Sequence, residues 1–287
     1  MDFGLHFPQP EMPHDGSAIR DFVVTAEHLG YRFINVPDHV IQTRTPVADF
    51  AMAANYTTEF ANHETMTVLA FAAAATQVIR LKAAVLVLPQ RQAVLAAKQA
   101  AQIDVLSGGR MELGVGVGWN DPEYTALDLD FGNRGKRMEE QIDVMRQLWT
   151  EQHVTYNGHW HTIDDAGLAP MPIQQPIPIW IGAFNDVAVA RAARIADGWQ
   201  SLVREPDGQA RQLFAKFNEH VKKAGRNSAE VGIEAPLFAT EIDQKKWVGQ
   251  VEQWVDVGAT QLVFRPLGEF GQIQEMNEAF AEVMTTL

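Results

Sequence analysis

The feature that most restricts the fold of this chain is a rhythm. Short runs rich in β-branched and apolar residues alternate with longer amphipathic stretches along its whole length. Parallel strands cannot be joined by tight turns, so each needs a crossover connection, and an amphipathic helix supplies one. Strands are expected at residues 3–7, 32–36, 79–88, 111–117, 177–182, 198–202, 231–239 and 261–264. Helices are expected at 17–29, 65–76, 94–106, 135–149, 187–196, 208–224, 243–257 and 268–284. Eight such units in 287 residues, 46% of them hydrophobic, match the size of one α/β domain, a (β/α)₈ TIM barrel over residues 1–287.

Two stretches break the rhythm. Residues 37–63 form a long polar and aromatic insertion after the second strand, and loops of that length are usually functional. Residues 150–178 form another before the fifth strand, where 154–162 read as a hairpin around an Asn157-Gly158 turn and lead into Pro170, Pro172, Pro176 and Pro178.

Composition removes several function classes. The absence of cysteine excludes disulfides, thiolate nucleophiles, zinc-thiolate sites and iron–sulfur clusters. With 36 acidic against 23 basic residues the formal charge is −13, a field that repels polyanions. No nucleic-acid or anionic-membrane role is expected, although a local cationic pocket could still hold one phosphate. No apolar run approaches the ~20 residues of a membrane helix, and residues 1–6 lack the basic-then-apolar pattern of a secretion signal. A cytoplasmic protein is expected.

Active sites of (β/α)₈ barrels lie where strands end and helices begin. The second strand runs into Asn35-Val36-Pro37-Asp38-His39-Val40. Here Asp38 could fix a tautomer of His39 as a proton donor near neutral pH; the alternative is a loop histidine satisfied by backbone groups. The third strand reads as buried on both faces, either as plain core or with Ala83 and Ala84 leaving room for a flat ring. Gly114, Gly116 and Gly118 have G-x-G-x-G spacing, not the G-x-G-x-x-G of a dinucleotide loop, and are expected to clear one strand face for a ligand. At the opposite end of that strand, Asp104 and Arg110 are expected to form a structural ion pair. The fifth strand ends in Gly182-Ala183-Phe184-Asn185 and opens directly into a helix, a pattern suited to cradling a phosphate.

Taken together, these stretches resemble the luciferase-like monooxygenase superfamily, and in particular its branch of probable F420-dependent oxidoreductases. The resemblance is carried by Phe3-Gly4-Leu5 with Pro8, Pro37-Asp38-His39, Leu86-Val87-Leu88-Pro89 through Ala97-Lys98-Gln99, and Asp104 to Arg110. It continues through Gly114 to Trp119, Arg137 with Glu140, Leu148-Trp149, Pro178 to Gly182 and Ala196-Asp197-Gly198-Trp199. It is close over roughly the first 200 residues and looser beyond.

The resemblance implies a flavin or deazaflavin ring in the barrel mouth, lying on a non-prolyl cis peptide that would fall around Ala84-Val85, with Val87 beside it. Gly182, Ala183, Phe184 and Asn185 match the turn that binds the cofactor phosphate, Asp38 and His39 match residues at the reactive edge, and Phe7 and Gly116 complete the expected cofactor contacts. One departure matters: sugar-phosphate dehydrogenases of this family carry a glutamate proton donor where this chain has Trp119. Glucose 6-phosphate is therefore not the expected substrate. Trp119, Trp199 and Phe7 point instead to an apolar or aromatic small molecule, with core packing the alternative for Trp199. Asn120 and Glu123 are the next candidate catalytic groups after His39.

The expected activity is hydride transfer, or oxygen insertion, on a small organic molecule with coenzyme F420. The alternative is an FMN-dependent two-component monooxygenase fed by a separate flavin reductase. The resemblance also implies a homodimer. Readings from other classes are a non-catalytic flavin-binding protein, motivated by the missing glutamate, and a metal-dependent barrel hydrolase using His6, His39, His159 or His161. The hydrolase is disfavoured because His159 and His161 lie in the inserted hairpin with no carboxylate cluster beside them.

Overall fold

A computed structural model describes residues 1–47 and 56–287. In chain order its strands are β1 (Asp2–His6), β2 (Phe33–Val36), β3 (Arg80–Val87), β4 (Met111–Gly116), β5 (Val154–Asn157), β6 (Thr162–Ala166), β7 (Ile179–Ala183), β8 (Gly198–Ser201), β9 (Gly232–Ala239) and β10 (Gln261–Pro266). Its helices are α1 (Gly16–His28), α2 (Thr65–Ala75), α3 (Ala93–Ser107), α4 (Asp121–Ala126), α5 (Arg134–Thr150), α6 (Asp186–Ile195), α7 (Gly208–Lys223), α8 (Gln244–Val257) and α9 (Phe270–Met284). Eight parallel strands close into a barrel in the order β1-β10-β9-β8-β7-β4-β3-β2, while β5 and β6 form a separate antiparallel pair. The expected (β/α)₈ architecture is the one found. Residues 48–55 of the expected insertion at 37–63 lie outside the described residues.

The helices start and stop where local chemistry dictates. Asp15, Asp207 and Asp243 each accept a backbone N–H at the start of α1, α7 and α8, satisfying donors that the helix itself leaves open. Gly108 and Gly258 end α3 and α8 in the left-handed conformation, with φ of 71° and 108°. The short α4 escaped the sequence reading because six residues do not display a helical period.

Inside the barrel, aromatic rings fill spaces that glycines leave. The Phe33 ring occupies the place of a side chain at Gly4, and the Trp180 indole that at Gly198 and Gly232. Between these two rings lies Lys82, 0% exposed, its Nζ 2.9 Å from both Glu112 Oε2 and Glu234 Oε2. This cation links β3, β4 and β9 beneath the mouth of the barrel.

Two expectations about the frame need correction. The hairpin exists, but its connection is the four residues 158–161 and not a two-residue Asn157-Gly158 turn. The Glu140 carboxylate on α5 accepts the backbone N–H groups of His159, Trp160 and His161 and the His161 Nδ1–H, all at 2.8 Å, so the loop closes around an anion. Asp104 and Arg110 do not pair. Arg110 donates to the carbonyls of Ala73, Thr76 and Ser107, left open where α2 and α3 end, and to that of Ile79 just before β3. Asp104 accepts from the backbone and side chain of Gln174.

Candidate active site

A cavity of about 310 Å³ opens at the C-terminal ends of the strands, and every barrel strand contributes to its wall. Its floor is made by β3. The β3–β4 register shifts between Ala83 and Leu86, the Ala84–Val85 peptide bond is cis, and Ala84 and Val85 face the cavity half-buried. A side chain at Gly116 would come within 2.6 Å of Val85 Cγ2, and one at Gly182 within 2.8 Å of Val85 Cγ1. At Gly114 the obstacle would be the Ala83 carbonyl. The glycines of β4 thus make room for the irregular middle of β3, and Gly116 also lines the cavity itself. Val85, seated over Gly116 and Gly182, presents the surface that a ligand would meet.

One side of the mouth carries His39. Its Nδ1 donates to Glu123 Oε1 at 3.0 Å, and the same oxygen accepts the Val40 backbone N–H at 2.9 Å. Glu123 Oε2 accepts from Gln90 Nε2 at 2.9 Å. Burial alone would raise the Glu123 carboxyl, but the hydrogen bonds from His39, Gln90 and Val40 outweigh it and hold it below its ordinary value. With Nδ1 engaged, Nε2 is the imidazole nitrogen available to a ligand. Rings of Tyr56 and Trp119 stand 4.2 and 5.3 Å from the imidazole and continue the wall. Asp38 does not pair with His39: it accepts from Arg91 Nη2 at 2.8 Å and from the Val87 backbone N–H at 3.0 Å. It ties the loop after β2 to the end of β3.

On another side the turn after β7 enters α6. Asn185 caps the helix by accepting the Ala188 N–H at 2.9 Å. The amides of Asp186 and Val187 have no acceptor among the described residues. Gly182, Ala183, Phe184 and Asn185 line the cavity, and so does Arg134, next to Gly135, where a side chain would meet Arg191 of α6. Arg134 stacks 3.6 Å from the Phe131 ring centroid and has no carboxylate partner among the described residues.

The structure therefore brings Asp38, His39, Ala84, Val85, Val87, Gly116, Trp119 and residues 182–185 to one cavity. Phe7 is elsewhere, fully buried between Phe22 and His63. Trp199 is core, stacked on Phe217 with its Nε1–H donated to the Ala183 carbonyl. Asn120 and Glu123 lie behind the wall, at 3% and 0% exposure. Sequence reasoning missed Tyr56, Arg134 and Arg265 in the lining. Arg265 directly follows the eighth expected strand and would have been found by inspecting that strand end like the others. Among the described residues no three His, Asp or Glu side chains converge as a metal would require, and no helix is long and apolar enough to cross a membrane.

A family model described as luciferase-like monooxygenase matches residues 1–282. An uncharacterized protein of Mycobacterium tuberculosis is 33% identical over 228 residues, covering 78% of each chain. The F420-dependent hydroxymycolic acid dehydrogenase of the same organism is 32% identical, over 55% of this chain and 44% of its own. The FMNH(2)-dependent dimethylsulfone monooxygenase of Pseudomonas putida is 30% identical, over 64% of this chain and 51% of its own. Among solved structures, an F420-dependent secondary alcohol dehydrogenase in complex with an F420-acetone adduct superposes with a TM-score of 0.82 at 15% identity, covering 98% of this chain and 97% of that one.

Proposed function

The chain belongs to the luciferase-like monooxygenase family, and from that premise we infer that it holds a flavin-type ring on Val85 and acts on a small, largely apolar molecule beside it. The observation that carries this reading is the combination of a half-buried Val85 over two glycines with an anion-ready turn on the same cavity. A flat ring needs a smooth apolar floor, and a ribityl phosphate needs free amides and a cation. Val85, the Asp186 and Val187 amides and Arg134 meet both needs, so these residues fit the group. When bound, such a ring supplies two-electron transfer to or from the substrate.

The chain's own residues do the rest. The turn at Gly182 to Asn185 and Arg134 hold the phosphate end. Trp119 and Tyr56 give flat walls for an apolar or aromatic substrate and keep water from it. His39, with Nδ1 fixed by Glu123, moves a proton through Nε2.

A proton donor at this position suits a hydride reaction, in which one proton accompanies each hydride, and that favours coenzyme F420. The FMNH(2)-dependent relative supports the second reading, reduced FMN delivered by a separate reductase. Spectral titration of the purified protein with F420 and with FMN tests both. Saturable binding of F420 tighter than that of FMN is expected. Tight binding of NAD or NADP with neither of the other two would end the proposal.

A further inference from the structure

Across the cavity from Val85 the side chains change character. In the closed strand order β10 lies four strands from β4 in either direction, so Arg265 at the end of β10 stands opposite Gly116 at the end of β4. The carboxylates of the mouth are already engaged: Asp38 with Arg91, Glu123 with His39 and Gln90, and Glu234 with Lys82. Arg265 has no carboxylate within ion-pair reach among the described residues. It donates to His6 Nε2 at 3.1 Å. Burial, and then the charge of Arg265, hold the His6 imidazole well below its usual value, so His6 is a neutral acceptor. Among the described residues most of the five guanidinium N–H donors have no acceptor.

The surroundings of Arg265 offset its charge only in part: Glu234 acts on it from beyond ion-pair distance, and Arg204 opposes that effect. The Phe238 ring lies 5.2 Å from the Arg265 guanidinium and 5.1 Å from that of Arg204. Tyr56, within electrostatic reach of Arg265, is pushed up to about 12 by burial and stays a neutral O–H donor. Its hydroxyl has no partner among the described residues. A half-buried cation with no carboxylate in direct contact is unfavourable, and a ligand anion lowers that cost.

We propose that Arg265, together with the Tyr56 hydroxyl, receives the carboxylate of an amphipathic substrate whose apolar body lies against Trp119. A planar fork beside a single hydroxyl donor matches a two-oxygen acid. The other carboxylate-free arginine of the cavity, Arg134, stands with the turn assigned to the cofactor phosphate, which leaves Arg265 for the substrate. This deepens the reading under which the ring occupies the β3–β4–β7 side, and rests on it.

Calorimetric titration with phenylacetate and its uncharged counterpart phenylacetamide, with and without saturating FMN or F420, provides the test. The wild-type protein is expected to favour the acid by about tenfold or more, as a charge-assisted bidentate contact implies. Arg265→Gln should bring the acid to within about twofold of the amide while melting temperature and cofactor affinity stay unchanged. Arg265→Lys should keep part of the preference, and carries the comparison if the glutamine variant does not fold. Equal affinities for acid and amide in the wild type, no heat from either at about 10 mM, or displacement of phenylacetate by equimolar inorganic phosphate would each overturn the proposal. So would an Arg265→Gln protein that binds cofactor more weakly yet keeps its preference for the acid, because Arg265 would then serve the ring. A protein that prefers the acid but binds neither FMN nor F420 refutes the cofactor reading alone.

Discussion

A histidine does useful proton chemistry only when one ring nitrogen is fixed and the other left open, and for His39 the fixing group comes from 84 positions away. His39→Ala should lower turnover by ~10²-fold or more while cofactor affinity and melting temperature hold, as removing a positioned acid or base does. A fall in melting temperature together with cofactor affinity would instead make His39 an anchor for the loop after β2. Glu123 acts one step back, so Glu123→Gln should depress kcat and shift its pH profile with little change in KM. The same carboxylate links stability to acid. Its folded-state value lies below the ordinary 4.5, so its contribution is fully present above pH 4.5 and is lost as pH falls through the folded value. Melting curves between about pH 3 and 6 should accordingly show a shallower acid decline in Glu123→Gln, and an unchanged decline would remove this role. The sequence put Asp38 beside His39 and so suggested a pair. Adjacency along the chain says nothing of side-chain direction, and Asp38 turns to Arg91 while the true partner arrives from α4.

At the scale of elements, most helices and strands were legible because burial imposes a period of 3.6 or 2 on the residues that form them. What was not legible is how β3, β4 and β7 fit together. Gly114, Gly116 and Gly182 are visible in the sequence as glycines, but the bodies they accommodate, the Ala83 carbonyl and the Val85 side chain, are set by cross-strand register. Gly182→Val consequently acts through Val85: the new branches must displace it, the floor of the cavity rises, and cofactor affinity should drop by about tenfold or more, with a modest fall in melting temperature from overpacking. Titration of cofactor into the variant decides this. Undiminished affinity would mean that the ring does not lie on Val85. Arg110 teaches the same lesson from the other end of the barrel. Read as half of an ion pair with Asp104, it instead collects the open carbonyls of two helix ends, a task with no signature in local sequence.

For the whole molecule, the decisive polar feature is the buried Lys82 between Glu112 and Glu234. A lone lysine in an apolar strand gave no hint of this, because its partners lie on strands remote in sequence. Lys82→Met should destabilise the fold by about 3–5 kcal/mol at neutral pH, since the buried Glu234 loses its cation and Glu112 keeps only Arg80. Denaturant titration measures the loss, and one below about 1 kcal/mol would mean that the two carboxylates do not depend on this cation. Arg134 and Arg265, facing one cavity in a chain of formal charge −13, bear on the speed of binding as well as its strength. An anion approaching from solvent is first slowed by the long-range field of the whole chain and drawn in only over the last few ångströms. Salt screens the long range first, its reach falling from roughly 30 Å at 0.01 M to roughly 10 Å at 0.1 M. Association of FMN or phenylacetate followed by stopped flow should therefore accelerate as ionic strength rises through that range, the reverse of the behaviour of an enzyme that steers its anionic ligands from afar.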